Sequence, residues 1–327
     1  MKTRTLGQLG PKVSALGLGT FSFGGAYGPT DEAESLRALD AAWDHGITFL
    51  DTANIYGNGI AETVIGKWLS TRPHRPQVAT KAAFTDDPKR RVDNRPEFLR
   101  ACLEASLKRL GVDHVALFYA HRQDPEIPAE DLAGTMQRLQ TEGKILGYGL
   151  SEIAPYTLER AHAVHPVTAV QNEYSLWTRQ PELGLIQRCA SLGVAFVPFS
   201  PLARGAFGAP IPDPATFAPA EFRNRVPRFQ PANWPHNRAK LKAFQDFARD
   251  LGHSPASLAL AWMLDRWPHV IPIPGTRSAG HLADWIGAPD ITLTDADRAE
   301  IDRLLPIGWA WGDRYDEAQT ALAERYS

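Results

Sequence analysis

The stretch AAWDHGITFLD, residues 41–51, decides the fold. A helical pattern runs up to Gly46, and glycine tolerates the positive φ that closes a helix. An apolar, β-compatible run, Ile47 to Leu50, follows at once and ends on a carboxylate, Asp51. The same succession recurs outward along the chain. LKRLG precedes VDHVALFYAH (107–121), LQTEGK precedes ILGYGLS (139–151), and CASLG precedes VAFVPFS (189–200). These strands lack polar alternation, as when both faces are buried, which is the habit of parallel sheets. Strands are predicted near 15–19, 46–51, 77–81, 114–119, 145–150, 167–171, 194–199 and 269–273. Helices are predicted near 31–45, 60–70, 96–110, 129–142, 155–163, 181–192, 237–251 and 279–287. Eight strand–helix units in succession imply an α/β fold closed as a (β/α)8 TIM barrel. A doubly wound sheet is the alternative, but near-uniform units with no boundary linker favour closure over residues 1–327 as one domain.

Three segments fall outside the repeat. Residues 3–14 read as an N-terminal β-hairpin around Gly10-Pro11. Residues 203–236, rich in Pro, Phe and Arg, form a long loop after strand seven, too long for an ordinary connection and suited to a lid or binding loop. Residues 294–327 add a C-terminal helix with Thr294 as N-cap and Asp297 in its first turn, then an aromatic tail over 305–327.

Lys plus Arg number 35 and Asp plus Glu 37. A chain so balanced lacks the bulk basic charge that holds nucleic acid or an anionic membrane. No apolar run reaches the ~20 residues of a membrane helix. The opening MKTRTLGQLG has no apolar core of a signal peptide, so a soluble, cytoplasmic protein is expected. Cys102 and Cys189 sit among apolar helical positions and read as packing residues. The glycine-rich GLGTFSFGG (17–25) lacks the spacing and the following helix of a dinucleotide-binding turn. HAVH (162–165) has no further ligand to complete a metal site.

Barrel enzymes carry their sites at the C-terminal ends of the strands. Those ends supply Asp51, Lys81, His121, Ser151, Gln171 and Ser200, each from a different unit. Any one of them alone reads as a solvated or structural residue; the case rests on their convergence at one rim. Tyr56 follows in the loop after Asp51. A phenol is a weak acid near neutrality, with a free pKa of about 10. The Lys81 ammonium is expected to lower it, with Asp51 holding Lys81 charged and in place. His121 can orient a carbonyl oxygen or join the proton relay. The set suits proton donation to a developing alkoxide; it offers no nucleophile for acyl transfer and no metal site.

The motifs FLDTANIYGNGIAETVIGKWL, VATK, FYAH, GLSE, AVQNEYSLW, PFSPLARG and IPIPGTR, in this order, resemble those of the aldo-keto reductase family. The middle of the chain resembles the bacterial and plant branch that includes perakine and pyridoxal reductases. The resemblance implies a barrel enzyme that reduces aldehydes and ketones with NADPH, with Asp51, Tyr56, Lys81 and His121 catalytic and Tyr56 the proton donor. It implies that Gly19, Thr20 and Phe21 line the nicotinamide, and that Ser151, Glu152 and Gln171 hold its carboxamide. Phe199 takes the place of a ring-stacking tyrosine. Ser200, Pro201, Leu202, Arg204 and Gly205 match the pyrophosphate loop. Gly275, Thr276 and Arg277 match the loop over the adenosine 2′-phosphate, with His281 an alternative reader of that group.

Two departures stand out. Glu152 replaces the usual asparagine and, ionised, can only accept hydrogen bonds. Asp284-Trp285 replace a Glu-Asn pair at the adenine end, which weakens the choice of NADP(H) over NAD(H). Phe23, Tyr56, Phe84 and His121 are expected to contact a small-molecule carbonyl substrate, within an aromatic wall that also includes Phe21, Tyr27, Trp234 and Trp309. Two other functions remain open: a slowly turning cofactor-binding sensor or accessory subunit, and a Schiff-base aldolase using Lys81.

Overall fold

The computed structural model describes residues 1–276 and 278–326. Seven short strands pair in parallel, in chain order: β3 (Leu18–Gly19), β4 (Phe49–Asp51), β5 (Gln77–Ala82), β6 (Leu117–Ala120), β7 (Tyr148–Ser151), β8 (Ala169–Gln171) and β9 (Ala195–Phe196). The glycines that mark helix ends in the sequence, Gly46, Gly111, Gly143 and Gly193, all adopt positive φ.

The expected eighth strand, 269–273, is a bridge rather than a continuous ladder. Pro272 and Pro274 have no N–H to donate. The segment still bonds to both neighbours: Ile271 N–H donates to the Phe196 carbonyl at 2.8 Å, and the Gly17 and Gly19 N–H groups donate to the Pro272 and Pro274 carbonyls at 2.9 and 3.0 Å. The sheet thus closes on itself as a (β/α)8 TIM barrel.

Helices α1 (Glu32–Asp44), α2 (Ile60–Thr71), α3 (Pro96–Leu110), α4 (Ala129–Thr141), α5 (Pro155–Val164) and α7 (Trp234–Asp250) match expectation closely. Helix α6 (Leu185–Leu192) is shorter than predicted, and 180–182 form a separate 3-10 turn. The segment predicted as helix over 279–287 is helical only at α9 (Ala279–Leu282). Helix α8 (Pro255–Arg266) is absent from the sequence-based assignment. It begins at the Ser254 cap with Pro255 in its first turn, but it is buried from Pro255 to Met263 and shows no polar stripe. Helix α10 (Asp295–Leu304) starts with the expected cap, here a full capping box between Thr294 and Asp297. A short α11 (Glu317–Thr320) lies in the tail.

Side chains alternate along each barrel strand. Leu50, Phe118, Leu150 and Val170 pack outward against the helices. Phe49, Ala79, Leu117, Tyr119, Ala169 and Ala195 fill the interior. Gly149 must be glycine, because an added Cβ would stand 2.3 Å from the Tyr119 ring. The hairpin of β1 (Thr3–Thr5) and β2 (Lys12–Ser14) delivers fully buried Leu6 and Val13 to this same cluster and closes the N-terminal end. One register above the apolar interior, the inward positions turn polar. Asp51 is two residues past Phe49, Lys81 two past Ala79, His121 two past Tyr119, and Gln171 two past Ala169.

Candidate active site

A cleft of about 520 Å³ opens at that polar end, within the ~300–1,000 Å³ of small-molecule sites. At its floor, Lys81 is fully buried and held from three sides. Its Nζ lies 2.5 Å from Asp51 Oδ1, donates to the Thr52 carbonyl at 2.7 Å, and reaches the Tyr56 hydroxyl at 3.5 Å. The second oxygen of Asp51 accepts from Gln171 Nε2 at 2.8 Å. The His121 ring lies across the cleft, 6.0 Å from the Tyr56 ring and 5.0 Å from that of Phe84, and its Nδ1 has no protein partner.

Burial governs the protonation of these groups. It pushes the Asp51 carboxyl up against the pull of Lys81, and the Lys81 ammonium down against the pull of Asp51. It drives His121 well below the usual imidazole value, aided by Arg122 and Lys81, so the ring is neutral. It also raises the Tyr56 phenol well above its ordinary value, with Asp51 adding to the effect. The expectation that Lys81 acidifies Tyr56 is therefore corrected. Burial of the phenol outweighs the ammonium 3.5 Å away.

A second stretch of the wall is suited to a dinucleotide. Phe199, Ser200, Pro201, Leu202, Arg204 and Gly205 line it after β9, with Gly275, Thr276, His281, Asp284 and Trp285 opposite and Gly19, Thr20 and Phe21 between. The loop is held in an uncommon backbone form: Ser200, Ala203 and Arg204 have φ of 49°, 51° and 57°, and Gly205 has 92°. The remaining non-glycine residues with positive φ among those described are Asn58, two positions after Tyr56, and Glu152, next to Ser151. Successive turns of this kind aim backbone N–H groups together, which suits phosphate. The fit to a nicotinamide dinucleotide is thus good in the aromatic face of Phe199, the amide of Gln171 and the loop backbone.

Several expected contacts are not made. Arg204 does not present its guanidinium to the cleft as a free phosphate ligand; Nη2 donates to buried Glu173 at 2.6 Å. Glu152 does not line the cleft. Its backbone, at φ 56°, turns the side chain away, and the carboxylate pairs with Arg314 at 2.6 Å and accepts from the Glu173 N–H. Phe23, Trp234 and Trp309 belong to the hydrophobic core rather than to the substrate wall. Arg277 lies outside the described residues. The wall instead includes Arg122 and, from the tail, Tyr315 and Gln319. Arg122 had a sequence signal, its place directly after His121; Tyr315 and Gln319 had none, because no local pattern reports where a tail runs.

Among the described residues no three His, Cys, Asp or Glu side chains converge as a metal site, and no helix is long and apolar enough to cross a membrane. A polar barrel end that joins a buried Asp–Lys pair, a phenol and a groove suited to a dinucleotide has the parts of an NAD(P)H-dependent oxidoreductase. The particular family is shown by comparison. The Aldo/keto reductase family pattern matches residues 15–306, and the chain belongs to that family. It is 40% identical over 331 residues to probable aldo-keto reductase 1 of Glycine max, covering 98% of this chain and 94% of that protein. Its fold superposes on the glycerol dehydrogenase of Gluconobacter oxydans with a TM-score of 0.84 at 28% identity, over 96% of this chain and 98% of that one. Carbonyl reduction with NAD(P)H, on small carbonyl compounds, is the activity of this family.

Proposed function

We propose that this chain reduces an aldehyde or ketone to the alcohol with NADPH, and that Tyr56 donates the proton. The observation that carries the reading is the Tyr56 hydroxyl, lining the cleft 3.5 Å from a lysine that Asp51 holds in place. Bound in the groove, the reduced cofactor supplies a hydride to the carbonyl carbon. Gln171 and Ser151 would hold its amide, and Phe199 would offer its ring an aromatic face. His121, neutral, can donate to the carbonyl oxygen without carrying charge into the site. As that oxygen becomes an alkoxide it takes the Tyr56 proton. Lys81 stabilises the phenolate left behind, and Asp51 keeps Lys81 from drifting toward substrate.

A Schiff-base role for Lys81 fits poorly, since the ammonium is unexposed and fully engaged. The preference for NADPH over NADH rests on the loop at Thr276, with Arg277 and His281 as candidate 2′-phosphate ligands. The near-balanced charge supports a small-molecule substrate rather than nucleic acid. Steady-state oxidation of NADPH and NADH by a panel of aldehydes and ketones tests the proposal. Tight cofactor binding with no turnover on any of them would favour the sensor or accessory-subunit reading.

A further inference from the structure

Arg122 differs from the ion-paired charged groups of the cleft. Asp51 is matched by Lys81, Arg204 by Glu173, and Arg223 by Glu221. Arg122 has no carboxylate partner among the described residues. Its Nη1 donates to the His121 carbonyl at 2.6 Å and, weakly, to Ser151 Oγ at 3.4 Å; its Nη2 donates to the Tyr315 hydroxyl at 3.2 Å. All three acceptors are neutral. Its Nε–H is shielded from water and has no acceptor.

A guanidinium carries five donor hydrogens. The bonds above use both on Nη1 and one on Nη2. Of the remaining two, Nε–H is shielded from water, so one Nη2–H is left for an entering carboxylate. Glu152 lies within the field of Arg122 but is itself paired with Arg314, so Arg122, Arg204 and Arg314 outnumber Glu152 and Glu173, and an entering anion adds the missing counter-charge. The position is apt. Arg122 adjoins His121 in sequence, and its guanidinium carbon lies 5.7 Å from the Phe84 ring, which itself packs against His121. A flat body resting on Phe84, with its carbonyl between Tyr56 and His121, has a polar end within reach of Arg122.

We propose that Arg122 is a specificity residue that selects carbonyl substrates bearing a carboxylate. The inference rests on the reductase reading given above and deepens it. Tyr315 is the positioning partner, since its hydroxyl holds Nη2 and its element is the tail.

Two matched pairs of probes test this: benzoate against benzamide for binding, and 4-carboxybenzaldehyde against 4-carbamoylbenzaldehyde for turnover. Each pair differs in charge and little in shape. Titrated into wild-type protein saturated with NADP⁺, benzoate is expected to bind about tenfold or more tightly than benzamide, the size of a charge-assisted hydrogen bond. The kcat/KM ratio of the two aldehydes should be similar. In Arg122→Gln both ratios should fall toward one, and Arg122→Lys, which keeps the charge without the fork, should retain part of each. The ratio is the readout, because a merely structural arginine would lower both members of a pair together and leave the ratio intact, which overturns the proposal. Equal handling of charged and neutral probes by the wild-type protein overturns it without any variant. If neither aldehyde is turned over, the reductase reading fails, while the benzoate-to-benzamide ratio still decides for or against the anion site.

Discussion

Two buried charge clusters share the open end of the barrel and respond to burial in opposite ways. In the Asp51–Lys81 pair, desolvation outweighs pairing: the acid is pushed up and the base down. In the cluster of Glu152, Glu173, Arg204 and Arg314, pairing outweighs desolvation. Burial alone would raise Glu152 and lower both arginines, yet Glu152 is held below the usual carboxylate range and Arg204 and Arg314 above theirs. The contrast lies in partner number. Lys81 has a single carboxylate, whereas Arg314 faces two, at 2.6 and 3.8 Å, and Arg204 pairs with one of the same two. In the first cluster burial works against both charges. The second locks charges and ties the strand-seven loop and the tail to the ends of β7 and β8.

Removing the proton at the first cluster should give the largest effect. Tyr56→Phe is expected to lower kcat by about 10²–10⁴-fold with NADPH affinity nearly unchanged. Single-turnover kinetics beside a cofactor titration check this, and a kcat within a few-fold of wild type would take the donor role away from Tyr56. Breaking the second cluster should instead cost stability. Glu173→Ala leaves Arg204 buried without its carboxylate, and losing one partner of a buried pair costs roughly 3–5 kcal/mol. Denaturant unfolding should show that loss, while the pH profile of whatever activity remains keeps its shape. A loss under about 1 kcal/mol would mean that the network is not a structural tie.

The pH dependence separates the clusters further. Because burial and then Asp51 raise the Tyr56 phenol, it stays protonated through neutral and mildly alkaline pH. Reduction should then show no loss of its acid up to about pH 10. Oxidation of the alcohol needs the phenolate, so its rate should climb about tenfold per pH unit without a plateau below that point. A reduction rate that falls with a midpoint below about pH 9 would restore the acidified tyrosine that the sequence suggests. The smallest effect is expected from Gln171→Met, which removes the hydrogen bond to Asp51 Oδ2. A lost hydrogen bond to a charged group contributes about 1.5–3 kcal/mol. The result should appear as weaker cofactor binding and a modest fall in melting temperature, and no change in either would remove Gln171 from both roles.

The barrel was legible because its signals are local. A glycine that closes a helix and an apolar run that follows it are read within a dozen residues, and alternation by two then puts Asp51, Lys81, His121 and Gln171 on one layer. What escaped depends on three-dimensional course. Helix α8 is apolar on every side, so periodicity cannot announce it. The eighth strand is broken by prolines. Glu152 sits in the expected place but is turned away by its backbone, and the acidity of Tyr56 depends first on how deeply the phenol is buried. The tail reaches the cleft through Tyr315 and Gln319, a path that no spacing in the sequence encodes.

The left-handed backbone at Asn58, Glu152, Ser200, Ala203 and Arg204 bears on any effort to make this protein more thermostable. Every one of these residues lies within two positions of the cleft wall. An alanine in that conformation gives up roughly 1–2 kcal/mol that glycine would not, so Ala203→Gly relieves the backbone while giving up a methyl buried in the core. The same loop must hold its N–H groups where a phosphate can use them, and glycine there would loosen it. The backbone gain and the enzyme's grip on its cofactor meet at one residue, so any heat tolerance gathered at Ala203 is expected to be withdrawn from cofactor affinity, whereas tolerance gathered at the hairpin-sealed end is not.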